Sequence, residues 1–540
     1  MGAAMIKKFF SIIVCTAMFL PISGCKKDKN APENQTIKYN LDAEPRTLDP
    51  QICTDTASNI VVMNIFEGLV RLDANGEIKP GVARSWEVSD NSLTYTFRLR
   101  EDAYWSNSDK TPVTAHDFVF GLQRALNSYT NSPKAYTLYS IKNARKVHQN
   151  EAPASSLGVA AVDAHTLMIE LEYPVENFLA LLATPPTMPC NQAFFEQTNG
   201  QYGLESSTII GNGAFRVKAR YGWDHYNTLN LARNENYRGE SVPVPAGIAF
   251  TIGKDTSDAV GLIKNSTLDA ALLPEAQIEL AKRENLPLTS FKDTLWGLSF
   301  NTADALFSNL NVRKGLVAAL NREHMLSTLP DNCEVANDIV LDGLTANGQN
   351  FRDVAGNNLY FKQDPHAKKY FEDGLAQLKL KSLPNVTILC LDSPTVKAIV
   401  SNMLENLNGT LGYYFNMEPV SEKALKSRIA STSYQVAFLP LSVDSPFALD
   451  FLNSFKSENN KNVANLSSLE YDKLLNAALS STPKDSIKHL ISAEKYLNDN
   501  VIFYPMYTQS RFFAHSKKLS NLIFHNYNQG IDFFFATKRK

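Results

Sequence analysis

The chain has few cysteines, no excess of charge of either sign and no long apolar run, and each lack removes a class of protein. Six cysteines in 540 residues are too few for a disulfide-built scaffold. Lys plus Arg is 53 against 55 for Asp plus Glu, a net charge of −2, so no basic field is present to hold nucleic acid. No apolar run reaches the roughly 18–20 residues that cross a bilayer, which excludes a polytopic membrane protein. Catalytic signatures are missing too: there is no G-x-S-x-G, no H-E-x-x-H and no Walker A sequence. The nine histidines are scattered, and no cysteine pair has C-x-x-C spacing. These absences tilt the reading toward binding over catalysis, with neither metal nor cofactor expected.

What is present begins with an address. Lys7 and Lys8 precede an apolar stretch over residues 9–20, and Ile22-Ser23-Gly24-Cys25 follows at once. A positive segment, a short apolar segment and small residues before a cysteine are the parts of a secretory signal. The run resembles a bacterial lipobox, in which Cys25 becomes lipid-modified and heads the mature chain. Residues 26–35 are polar and read as a tether. The expectation is a globular body lipid-anchored in the cell envelope. It keeps Cys53, Cys190, Cys333 and Cys390, as buried thiols or with one disulfide.

Along the body, strand and helix patterns alternate. Residues 37–41 read as a strand and 55–69 as a helix capped by Thr54 or Asp55. Leu93, Tyr95, Phe97 and Leu99 alternate as in a half-buried strand, and so do Leu167, Ile169 and Leu171. Thr114-Ala-His-Asp117 is a capping box before a helix with Phe118, Leu122, Ala125 and Leu126 on one face. Residues 214–218 and 386–391 read as strands; 312–320, 365–380 and 396–407 read as helices. Gly211-Asn-Gly213 is a turn rather than a dinucleotide loop, since the third glycine is missing. Interleaved elements over the whole length predict a mixed α/β fold.

Several segments taken together resemble the bacterial extracellular solute-binding proteins of family 5, the dipeptide- and oligopeptide-binding lipoproteins of ABC importers. They are Ala43-Glu-Pro-Arg-Thr-Leu-Asp-Pro50, Phe66-Glu-Gly-Leu-Val-Arg-Leu-Asp73 and Pro80-Gly-Val-Ala-Arg-Ser-Trp-Glu87. Leu93-Thr-Tyr-Thr-Phe-Arg-Leu-Arg-Glu-Asp-Ala-Tyr-Trp105 and Pro112-Val-Thr-Ala-His-Asp-Phe-Val119 are the most characteristic. Gly211-Asn-Gly-Ala-Phe215, Ala232-Arg-Asn-Glu-Asn-Tyr237 and Asn311-Val-Arg-Lys314 follow in family order.

The resemblance implies a periplasmic-binding-protein-like class II fold, two lobes with a hinge plus an extra domain. Domain I would comprise residues 36–77, 205–300 and 500–540, domain II 78–204 and domain III 301–499. It implies a non-catalytic monomer that traps a peptide between the lobes and hands it to permease subunits. Asp444 stands seven residues before Phe451-Leu452, the family spacing for the acid that anchors the peptide amino group. Thr54, Asp55 and Thr56 fall near the segment that pairs with the peptide backbone, Tyr507 matches a cleft tyrosine, and Tyr136 is a candidate from domain II. Two departures stand out. Phe438 replaces an arginine available to a peptide carboxylate. Pro440-Leu441-Ser442 replaces Gly-Trp-Cys, which removes a disulfide partner and one backbone N–H donor. They leave room for a changed ligand: a cell-wall-derived peptide, or a nickel chelate, haem or sugar on the same fold.

Overall fold

The computed structural model describes residues 36–539 except 74–75, 176–177, 240, 323–328, 331, 347–348, 358–361, 444–445, 458, 460, 482 and 526–529. Cys25 and the signal and tether readings lie outside the described residues, as does Asp444.

Three larger sheets organise the chain. The first places Thr36–Leu41 parallel to Gly247–Ile252, then Thr228–Arg233 and Phe215–Val217 antiparallel. The second is an antiparallel sheet of Ala83–Val88, Thr94–Leu99, Thr166–Glu170 and Val159–Asp163. The alternation read at residues 93–99 is the burial pattern found: Tyr95, Phe97 and Leu99 are buried. Both sheets share one apolar core, reaching from Ile37 and Phe250 to Phe97 and Ile169.

The third sheet runs Ala270–Leu272, Phe503–His515, Leu288–Phe300, Val436–Ser442, Val386–Leu391, Phe415–Val420. Both of its faces are covered. Trp296, Leu298, Phe300, Val436 and Phe438 pack on one side under helices Leu310–Ala318, Ala367–Gln377 and Pro394–Leu411. Leu295, Ala437, Leu439 and Leu441 pack on the other under helices Ala448–Asn453, Leu469–Ser480 and Pro483–Asp499. Strands buried on both faces are near-continuous apolar runs, which is why 386–391 is legible as a strand.

Two antiparallel strands of 13 residues each, Leu288–Phe300 and Phe503–His515, tie the cores together. Phe513 packs with the first two sheets, Ala514 with a small cluster around Val260 and Ile263, and Leu298 and Tyr504 with the third sheet. The register shifts at Lys292/Thr294, and there the buried Asp293 takes a bidentate ion pair from Arg511. A bulge bends and twists its strand, so the clamp sits where the long ribbon passes from one core to the next.

The Thr114 backbone N–H donates to the Asp117 carboxylate at 2.7 Å, closing the capping box of helix Ala115–Ala125. The helix expected over 55–69 runs only over Thr56–Ile65. It stops because Phe66 turns extended and Gly213 N–H takes the Ile65 carbonyl at 2.9 Å. A Cβ at Gly211 would lie 1.9 Å from that same carbonyl oxygen. The Gly-Asn-Gly motif is thus a close backbone contact as well as a bend. All four body cysteines are free thiols.

A histidine clasp joins the loop after the first strand to the hairpin at 221–228. His225 Nδ1 lies 2.6 Å from Glu44 and its Nε2 lies 3.3 Å from Glu205. Burial lowers the imidazole pKa, but hydrogen bonds to the two carboxylates outweigh it and hold the group above its ordinary value. A raised histidine contributes stability fully below its unfolded value, about 6.5, and loses it as pH rises through the folded value. Glu44→Gln is expected to bring the His225 titration midpoint down, as read by histidine NMR. A midpoint unchanged by that substitution would reject the clasp.

Candidate functional site

A cleft of about 1550 Å³ opens where the three sheet bodies meet. One wall carries Arg46, Thr54, Asp55, Thr56, Asn59 and Met63 from the loop and helix after the first strand. A second carries Pro133, Lys134, Tyr136 and Thr137, with Thr184–Pro186. The third carries Thr345, Pro440, Leu441, Ser442, Val443, Pro446, Phe447 and Asp450.

Thr54, Asp55, Thr56 and Tyr136 therefore meet in one cavity. Asp55 has a structural task there: its two carboxylate oxygens accept from Ser58 N–H at 2.8 Å and Ser58 Oγ at 2.7 Å, capping helix Thr56–Ile65. Tyr507 is not among the cleft-lining residues. It is 1% exposed and stacked on Trp296 with ring centroids 5.7 Å apart. Its strand is central in a sheet covered on both faces, so the ring goes into the core. Asp444 lies outside the described residues, and its neighbours Ser442, Val443 and Pro446 line the cavity.

The wall at 436–443 presents a backbone edge. Strand Val386–Leu391 pairs with it only up to Phe438. Val443 N–H donates to the Asp293 carbonyl at 2.8 Å, so residues 441 and 439 also aim their peptide groups toward strand Leu288–Phe300. Pro440 and Ser442 then aim theirs the other way, along an edge that no strand among the described residues covers. An extended chain can add there as a further strand, held through main-chain hydrogen bonds. Pro440 offers a carbonyl but no N–H at that edge, leaving Ser442 as its donor.

The cleft floor holds a group to which the sequence reading gave no role. Glu67 is buried, accepts from Tyr237 Oη at 2.5 Å and pairs with Arg100 at 2.9 Å, while Asn212 brackets its backbone at 3.0 and 2.8 Å. Burial pushes this carboxyl up and Arg100 pulls it down. The signal was the Phe66-Glu-Gly run, quoted for resemblance and not for chemistry. Near it Arg71 pairs with Asp532 at 3.5 Å beneath the Phe534 ring. Among the described residues, no three His, Cys, Asp or Glu side chains are grouped to hold a metal ion. No helix among them is long and apolar enough to cross a membrane.

Comparison with known proteins decides the family. The family model "Bacterial extracellular solute-binding proteins, family 5 Middle" matches residues 77–463. The chain belongs to this family. It is 27% identical over 528 residues to the dipeptide-binding protein DppE of Bacillus subtilis, covering 96% of this chain and 94% of that protein. Over 190 residues, 35% of this chain and 34% of the relative, it is 40% identical to the periplasmic murein peptide-binding protein MppA of Escherichia coli. The substrate-binding domain of an oligopeptide ABC transporter from Bacillus anthracis superposes with a TM-score of 0.79 at 26% identity. That match covers 95% of this chain and all of that one. As in other family 5 proteins, the fold is a multi-domain, periplasmic-binding-protein-like α/β architecture.

Proposed function

We propose that this protein captures peptides, without catalysis, for an ABC importer. The observation that carries the proposal is the uncovered strand edge at Pro440–Ser442 inside a cleft between separately cored bodies. A peptide's shared feature is its backbone, and an added strand reads backbone while the cleft accommodates side chains. The two long strands make a natural hinge between a lobe of residues 36–77, 205–300 and 500–540 with 78–204, and a lobe of 301–499. Closure about them desolvates the ligand and creates a distinct form for permease subunits to recognise. In this reading Cys25 carries the lipid that keeps the monomer in the envelope, and Asp444 holds the peptide amino group.

The test uses residues 26–540, purified, denatured and extracted, with the released small molecules identified by mass spectrometry. The remaining protein is screened for thermal shift against a peptide panel. Peptides in the extract, and stabilisation of about 2.7 kcal/mol at one hundred times the dissociation constant, are expected. An extract holding a metal chelate, haem or sugar, with no peptide response, would reject the proposal. A narrower ligand, a cell-wall-derived peptide, is motivated by Phe438 and Pro440, which depart from the oligopeptide-binding pattern. Preference for a murein tripeptide over ordinary tri- to pentapeptides would establish it.

A further inference from the structure

We infer that Lys134 reads a carboxylate on the bound peptide; this rests on the peptide-binding proposal above. Lys134 lines the cleft and is half-buried. Its backbone is fixed: the carbonyl accepts from Thr137 N–H at 3.0 Å and Thr137 Oγ1 at 2.8 Å. Ser132 Oγ ties the same loop to the Gln51 carbonyl at 2.6 Å. The side chain thus projects from a rigid base rather than a loose tip.

The acids on hand are already taken. Asp55 spends both oxygens on Ser58. Asp49 is held by Arg124 at 2.6 Å and by Gln51 N–H at 3.0 Å. Among the described residues no carboxylate pairs with the Lys134 ammonium. A half-buried cation without a counter-charge in a cleft that closes must be met by an anion from the ligand or pay for desolvation alone. Arg71 has Asp532 and Lys426 has Glu422, so those cleft cations are neutralised. The wall strand Val436–Ser442 carries no cation at all. Arg46, exposed and also without an acid partner among the described residues, and the exposed Lys461, which lines the same cleft, are the competing assignments.

The carboxylate has two possible sources, an acidic side chain or the peptide C-terminus, and the test separates them. Ala-Glu-Ala is compared with Ala-Gln-Ala, and Ala-Ala-Ala with its C-terminal amide, by isothermal titration calorimetry. A charge-assisted hydrogen bond gives about tenfold discrimination within one pair, and that pair names the source. Discrimination should fall to within about twofold in Lys134→Met, return in Lys134→Arg, and persist in Lys142→Met, which removes a remote surface charge. Wild type blind to both comparisons, or discrimination that survives Lys134→Met and disappears in Arg46→Met, overturns the inference while peptide binding stands. Failure of every peptide to bind overturns the peptide proposal itself, and this inference with it.

Discussion

Asp444→Ala is expected to weaken binding of a free-amine tripeptide by about 2–5 kcal/mol, thirtyfold to several thousandfold, with thermal stability of the empty protein unchanged. The described neighbours fix the chain on either side of it. Upstream, Val443 is tied to Asp293, which Arg511 clamps from the opposite long strand. Downstream, Phe451 and Leu452 are buried on helix Ala448–Asn453. Both flanks are thus fixed to the sheet, and Ser442 and Pro446 face the cleft. An ammonium that leaves water on closure needs a charge partner, and removing the partner leaves it stranded. The matched control is an N-acetylated peptide, which should bind wild type as weakly as the free-amine peptide binds Asp444→Ala. Wild type indifferent to acetylation, together with an Asp444→Ala variant of unchanged affinity, would reject the anchor.

How far the sequence could be read depended on whether the determining contacts were local. Residues 386–391 show their strand in a short apolar run rich in β-branched residues, as a strand buried on both faces carries, and Thr114 with Asp117 carry their own cap. The helix end at Ile65 was not legible, because what stops it is Gly213, well over a hundred residues away. The pairing of Leu288–Phe300 with Phe503–His515 is likewise set by chain segments far apart, and no period announces it. Thr54, Asp55, Thr56 and Tyr136, named through resemblance, line the cleft. Tyr507, named because it matches a family tyrosine, has its ring packed against Trp296 and Phe438. Lys134 escaped notice because its meaning lies in what surrounds it. Only the structure shows that Asp49 and Asp55 are spent elsewhere.

The cleft wall that carries Thr345 and Pro446 depends on a buried charge network, and Arg352→Met is expected to damage it severely. Arg352 pairs with Asp338 at 3.1 Å and with Glu494, and all three side chains are buried. Glu494 also accepts Val340 N–H at 2.8 Å. This pins the segment whose Thr345 N–H holds the Pro446 carbonyl at 2.7 Å on the cleft wall. Losing the guanidinium strands two carboxylates in an apolar core, at a cost of about 3–5 kcal/mol in urea unfolding at pH 7.5. The sign of the pH dependence follows. Burial pushes the Glu494 carboxyl up and Arg352 pulls it down, so without Arg352 its folded value rises further. A carboxyl raised above its unfolded value of about 4.3 favours the folded state as pH falls through the folded value. The deficit should therefore shrink at pH 5. Adding Glu494→Gln to Arg352→Met should recover part of the loss at pH 7.5 and weaken its pH dependence, because one of the two stranded carboxyls is gone. A single variant within about 1 kcal/mol of wild type at both pH values would mean that water reaches the three charges, and that Thr345 is held by the surrounding apolar packing alone.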